Sequence, residues 1–213
     1  MQIKFQSLAP FKPVSPDVID TWSSYLNTME KSKAPETVSR LFFSTKPCIQ
    51  SMVDAQPEWT EEFQFNTFWT RLLEEALGTG YFQWDKYDMF FFPVWGMTHQ
   101  YVVCFNLPDC KMNIIDHSLA ETHASFGEKY GNTPSVLKKF FATSLTKSKV
   151  PKMATQVRKC NAHVVTMPWR NNSGTVDTGV YVMRHMETYF GEREKDWECG
   201  LRPKEQRAWK CCE

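Results

Sequence analysis

Asp177-Thr178-Gly179-Val180 stands where a strand-like run, Ala162-His163-Val164-Val165-Thr166-Met167, and a Pro168-Trp169 turn give way to a helical run from Val180 to Phe190. Position 178 is therefore expected at a helix N-terminus, where unpaired backbone N–H groups and the helix dipole stabilise a thiolate. A threonine hydroxyl gains little from that field. Asp177 is of a type that caps such a helix. Upstream, His99 and Asp116 are residue types that supply a general base and the carboxylate orienting it, as in a Cys-His-Asp arrangement. His99 lies just before one strand-like run and Asp116, seventeen residues later, at the end of the next. Pairing of those two strands brings the side chains together, and Asp116 then holds the imidazole in the tautomer a base needs.

Elements that could position these groups are readable along the chain. Pro16 opens a helix whose apolar residues Val18, Ile19, Trp22, Tyr25 and Leu26 fall on one face. Asn66 or Thr67 is expected to cap a second helix carrying Phe68, Trp69, Leu72, Leu73, Ala76 and Leu77, with Gly78 at its end. From residue 87 the period shortens toward strands. Met89 to Val94, Tyr101 to Leu107 and Met112 to Ile115 read as three strands, the last two joined by a Pro108-Asp109-Cys110-Lys111 turn. Thr133-Pro134-Ser135 opens a further helix with Val136, Leu137, Phe140 and Phe141 inward. Beyond Gly191 a charged, Trp-containing tail, residues 192–213, is expected as a peripheral arm.

Composition bounds the function classes. A chain of 213 residues suffices for one substantial domain. Its formal net charge of +1 gives no electrostatic case for nucleic acid as a partner. No apolar run approaches the roughly 20 residues of a membrane span, and the opening Met1-Gln2-Ile3-Lys4 is not a signal peptide, so an intracellular place, nucleus or cytoplasm, is expected. The seven cysteines, at 48, 104, 110, 160, 199, 211 and 212, are odd in number and lack paired spacing. Reduced thiols are the expectation, with neither a disulfide framework nor a metal site, and no cofactor. His117, His123, His163 and His185 read as surface or packing residues.

Several of these stretches together resemble a known family. Met89-Phe90-Phe91-Phe92-Pro93-Val94, His99, Tyr101-Val102-Val103-Cys104-Phe105, Ile114-Ile115-Asp116-His117-Ser118-Leu119 and Val176-Asp177-Thr178-Gly179-Val180-Tyr181-Val182-Met183-Arg184-His185-Met186-Glu187 resemble the catalytic core of the ubiquitin-like-protein proteases, the Ulp/SENP family that processes SUMO. The run Met183-Arg184-His185-Met186-Glu187 is most similar to that of plant members, several carried by transposons. The match is strongest over residues 86–191. The resemblance implies an α+β, papain-like cysteine-protease fold with a central, mostly antiparallel sheet flanked by helices, in one domain covering residues 1–213. It places His99 on the catalytic histidine, Asp116 on the catalytic aspartate and Thr178 on the cysteine nucleophile. The implied partner is a SUMO-like or other ubiquitin-like protein, cleaved after its Gly-Gly tail, with neither nucleic acid nor membrane involved.

The chain departs from the family pattern at informative places. Thr178 is a β-branched secondary alcohol, which a nearby histidine activates poorly in a pocket shaped for a thiol. Gln100 stands where a tryptophan usually follows the catalytic histidine. The family's oxyanion-stabilising glutamine is missing from Pro168-Trp169-Arg170-Asn171-Asn172; Arg170 is the best positional match for a donor, with Asn171 and Asn172 as alternatives. Trp95, Gln100, Trp169, Asp177 and Gly179 are the expected substrate-binding positions, and Trp95 or Trp22 can supply an aromatic wall. The sequence thus supports either a Ulp-type peptidase weakened at its nucleophile, a pseudoprotease that still binds a ubiquitin-like protein, or an interaction protein domesticated from a mobile element.

Overall fold

The structure, a computed structural model, describes residues 13–34, 36–78, 83–95, 100–119, 125–170 and 178–201. Among them, five strands form one sheet in sequence order: β1 (Arg40–Phe42), β2 (Met89–Trp95), β3 (Gln100–Asn106), β4 (Lys111–Ile115) and β5 (Asn161–Val164). The two central pairings are antiparallel, and the outer pairings, β1 with β2 and β4 with β5, are parallel. The expected β3–β4 hairpin is present, with Val102 opposite Ile115. Cys110 turns it in a left-handed conformation, φ 52°.

Helices cover both faces. α1 (Pro16–Glu30) and α6 (Thr178–Thr188) lie on one; α2 (Glu61–Gly78), α4 (Thr133–Lys147) and α5 (Pro151–Lys159) lie on the other. A short helix, α3 (Phe126–Tyr130), follows β4. α3 opens on a capping box, since the Ser125 hydroxyl accepts from the Glu128 N–H while the Glu128 carboxylate accepts from the Ser125 N–H. α2 starts five residues before Asn66, because the Thr60 hydroxyl accepts the Phe63 N–H and Glu61 and Glu62 face the dipole.

Strand alternation sorts the core into two layers. Phe90, Phe92, Tyr101, Val103, Phe105, Met112 and Ile114 face α2, α4 and α5. Phe141 of α4 sits at the centre of that layer, with Phe90, Phe92 and Phe105 each 5.1 Å away between ring centroids. Met89, Phe91, Val102, Cys104 and Ile115 face α1 and α6. The described part of the expected arm belongs to this second layer, where Trp197 packs against Trp169 and Tyr189 and Cys199 is buried.

β1 has a free outer edge that would otherwise expose backbone groups. Asn27 of α1 closes it by accepting the Phe42 N–H at 2.9 Å and donating to the Phe42 carbonyl at 2.7 Å. The buried Arg40 guanidinium reaches across to the last turn of α6. It donates to the carbonyls of Met186, Glu187 and Tyr189 and pairs with Glu30 at 2.8 Å. One end of α6 is thereby fixed to α1 and the sheet, which leaves its N-terminus to be placed by the opposite end of the layer.

Candidate active site

Asp116 lies one residue beyond the Val102–Ile115 pair, at the end of the sheet where β3 begins. Its side chain is fully buried. The Ser118 N–H donates to Oδ1 at 2.8 Å, the Tyr130 hydroxyl donates to Oδ2 at 3.0 Å, and the Lys129 ammonium stands 2.8 Å from Oδ2. Burial and the Asp116 carboxylate together push the Tyr130 hydroxyl far above its ordinary pKa, so it stays a proton donor. The buried His117 ring also faces this carboxylate, Nδ1 4.0 Å from Oδ1.

Thr178 is the first residue of α6 and is buried. It therefore occupies the helix N-terminus at which the spacing predicts the nucleophile. Gly179 follows for a steric reason: a Cβ there would come 2.5 Å from Val14 Cβ and 2.8 Å from Gln100 Oε1. Only glycine lets the segment at Val14 and the start of β3 press this closely on the first helical turn. Gln100 is buried, donates from Nε2 to the Val14 carbonyl at 3.3 Å and leaves Oε1 without a partner. Trp95, half-buried at the end of β2, is its cross-strand neighbour.

One helical turn on, Tyr181 stacks flat on the His117 ring, with centroids 4.1 Å apart. Behind it lies His185, whose Nε2 accepts the Trp169 indole N–H at 3.1 Å. Burial, with His117 nearby, pushes His185 down to about 3. It is a neutral acceptor in a packed aromatic layer, consistent with the packing role expected from sequence. His117 is buried as well, whereas His163 is exposed and pairs with Glu194 at 3.0 Å.

The sheet end thus brings together Asp116, Gln100, Thr178 and Gly179. Trp169, an expected substrate-binding position, is directed inward, onto Trp197 and His185. Arg170 donates from Nη2 to the Ser118 carbonyl at 3.1 Å, while its buried Nε has no partner. It therefore braces the turn that carries Asp116. His99, Asp177, Asn171, Asn172 and His123 lie outside the described residues. Sequence reasoning missed Lys129 and Tyr130. The Ser125-x-x-Glu128 capping signature marks their helix, but nothing local shows that the helix docks on Asp116.

No protein-family model matches the chain, and no curated protein does. Solved structures do. The chain is similar to the SUMO protease Ulp1 with its catalytic cysteine oxidised to a sulfinic acid, at 16% identity over 92% of this chain and 74% of that one, TM-score 0.61. It is similar to the C-terminal Ulp1 protease domain in complex with Smt3, the yeast ortholog of SUMO, at 16% identity over 91% and 75%, TM-score 0.57. A de-sumoylating protease matches at 13% identity over 89% and 67%, TM-score 0.57. At these identities the likeness establishes the fold, an α+β arrangement of the Ulp1-protease type.

Proposed function

We propose that this chain is a Ulp-type peptidase domain that engages a SUMO-like or other ubiquitin-like protein by its Gly-Gly tail, with a nucleophile position that Thr178 leaves poorly suited to acyl transfer. The observation that carries this reading is Thr178 itself, buried at the first residue of α6 and at the same end of the sheet as Asp116. The SUMO protease structures that share the fold have a catalytic cysteine. In the reading, His99 takes the nucleophile's proton and Asp116 holds the imidazole. The helix end favours a thiolate formed in advance; a threonine must lose its proton during attack and adds a methyl group to the pocket. Losing the activated thiolate removes several decades of rate, each about 1.4 kcal/mol of barrier.

Binding is expected to outlast catalysis, because recognition of a folded partner and its tail does not use the nucleophile. The same reading puts the domain inside the cell, and the Met183-Arg184-His185-Met186-Glu187 run favours kinship with plant, transposon-borne members. The test is a fluorogenic cleavage panel of SUMO-like and ubiquitin-like substrates, with pull-downs, run on the natural protein, Thr178→Cys and Thr178→Ala. Thr178→Cys should raise cleavage by about two decades or more, while Thr178→Ala leaves the natural level unchanged. Turnover by the natural protein that Thr178→Ala abolishes would overturn the impaired-nucleophile reading. Failure of both the natural protein and Thr178→Cys to bind any member of the panel would overturn the partner.

A further inference from the structure

We propose that Cys110 and Cys160 form a dithiol site that a low-molecular-weight disulfide oxidises to a reversible intramolecular cystine, linking the starts of β4 and β5. The proposal stands apart from the peptidase reading and takes nothing from it. β4 and β5 run parallel, and their first pair is Lys111 with Asn161. Cys110 and Cys160 are the residues immediately before that pair, one on each segment. Neighbouring strands lie about 4.8 Å apart, inside the roughly 4.4–6.8 Å between Cα atoms that a disulfide spans.

The side chains turn toward one another. Both thiols donate to the Gln156 carbonyl, Cys160 Sγ at 3.3 Å and Cys110 Sγ at 3.8 Å, so one oxygen in the last turn of α5 gathers both sulfurs. The Cys110 thiol is also a hydrogen-bond neighbour of the Cys160 thiol. Both backbones are anchored: the Cys160 N–H donates to the Gln156 carbonyl and the Cys110 N–H to the Leu107 carbonyl, each at 3.1 Å. The two residues pack with the layer under α2, α4 and α5, whereas Cys104 belongs to the opposite layer.

Exposure decides the order of reaction. Cys160 is buried, while Cys110 is half-buried and within reach of a reagent in solvent. The Cys110 thiolate attacks one sulfur of R–S–S–R, forming a Cys110–S–S–R bond and releasing RS⁻, which takes up the proton that Cys110 lost. The Cys160 sulfur then attacks the Cys110 sulfur and displaces the second RS⁻, to which the Cys160 proton passes. Two protein thiols are oxidised by two electrons, and one R–S–S–R becomes two RSH. Burial, with Cys110 beside it, pushes the Cys160 thiol up to about 12. Its thiolate is scarce, so closing is the slow step and the mixed disulfide on Cys110 builds up first. Thiol-rich surroundings keep such a pair reduced, which makes the bond a response to oxidation rather than a fixed staple.

The test uses the natural protein, reduced and then held at pH 8 with oxidised glutathione. Non-reducing mass spectrometry follows the cysteines of a chymotryptic digest, in which cleavage at Phe105 separates Cys104 from Cys110. Glutathione should appear on Cys110 and then give way to a linked Cys110–Cys160 peptide. Closing the loop between them restricts the unfolded chain, so Tm should rise by about 5–10 °C. Dithiothreitol should reverse both changes. Cys110→Ser should show neither the linked peptide nor the rise, and Cys160→Ala should keep glutathione on Cys110 as the end product. Glutathione that stays on Cys110 of the natural protein, no reaction at either thiol, or a linked peptide with a lowered Tm overturns the proposal. Where Cys160→Ala does not fold, the natural protein and Cys110→Ser, changed at a half-buried position, decide it between them.

Discussion

The two faces of the sheet differ in how many buried polar groups they carry and how far their bonds reach. Under α2, α4 and α5 the layer is aromatic and aliphatic, and a buried hydroxyl such as Ser144 bonds back to the Phe140 carbonyl within its own helix. Under α1 and α6, Arg40, Gln100, Asn113, Thr178 and His185 are all buried, and the partners of Arg40, Asn113 and His185 come from other elements. Local back-bonding adds no constraint between elements. Cross-element polar contacts fix geometry at the cost of desolvation, and they leave atoms such as Gln100 Oε1 unpaired. The contrast teaches a partial division of labour: one face supplies mostly apolar packing, reaching the site through the Tyr130 hydroxyl on Asp116, and the other spends stability on placing α6.

Removing a ring from the dry face gives the largest expected effect and tests the division itself. Phe141→Ala should cost about 3–5 kcal/mol in chemical denaturation, since it opens a cavity among Phe43, Phe90, Phe92 and Phe105. In the Thr178→Cys background the rate at which iodoacetamide alkylates position 178 should not move. A loss below about 1 kcal/mol, or a changed rate, would show that the faces are not independent.

Legibility follows the same division. The β3–β4 hairpin, the start of α1 at Pro16 and the inward residues of α4 are readable because each rests on local periodicity and turn chemistry. β1 is not: three residues carry no period, and Arg40 pairs with Met89 from far along the chain. At the site, Thr178 at a helix start and Asp116 at a strand end are legible from pattern. The Lys129 contact and the pressing of Val14 on Gly179 depend on how elements dock, which no local spacing encodes. Trp169 shows the converse: expected at a substrate-binding position, it sends its N–H to His185 and buries its ring.

The Gly179 contact is expected to be a smaller effect confined to the polar face. Gly179→Ala places a methyl 2.5 Å from Val14 Cβ, so either the segment at Val14 or the first turn of α6 must move. Overpacking of this kind costs about 1–3 kcal/mol, beyond what a better helix former returns at a helix start. Val14→Gly removes the nearest obstructing atoms, leaving Gln100 Oε1 at 2.8 Å, and the two changes together should cost less than their separate losses added. Additive losses in urea denaturation would place the conflict elsewhere and remove the steric account of this glycine.

The smallest effect per unit of perturbation is a pH slope that His185 gives the polar face. His185 is pushed down to about 3, first by burial and then by His117, against an ordinary value near 6.5. Asp116 acts on it in the opposite direction and is outweighed; Tyr181, Trp169 and Trp197 are the rings around it. Between those two pH values the unfolded chain binds a proton at His185 that the folded chain refuses. The stabilisation is therefore complete above about pH 6.5 and is lost as pH falls toward 3, at up to about 1.4 kcal/mol per pH unit. His185→Gln keeps an acceptor for the Trp169 N–H but cannot titrate. Its stability at pH 7.5 should be somewhat lower than that of the natural protein, yet its decline from pH 6.5 to 5 should be shallower by most of that slope. The window stops at pH 5 because carboxylates begin to titrate below it. Equal slopes for the two proteins would mean that His185 takes up a proton in the folded state, which would require the Trp169 contact to open and the polar face to be wetter than its packing shows.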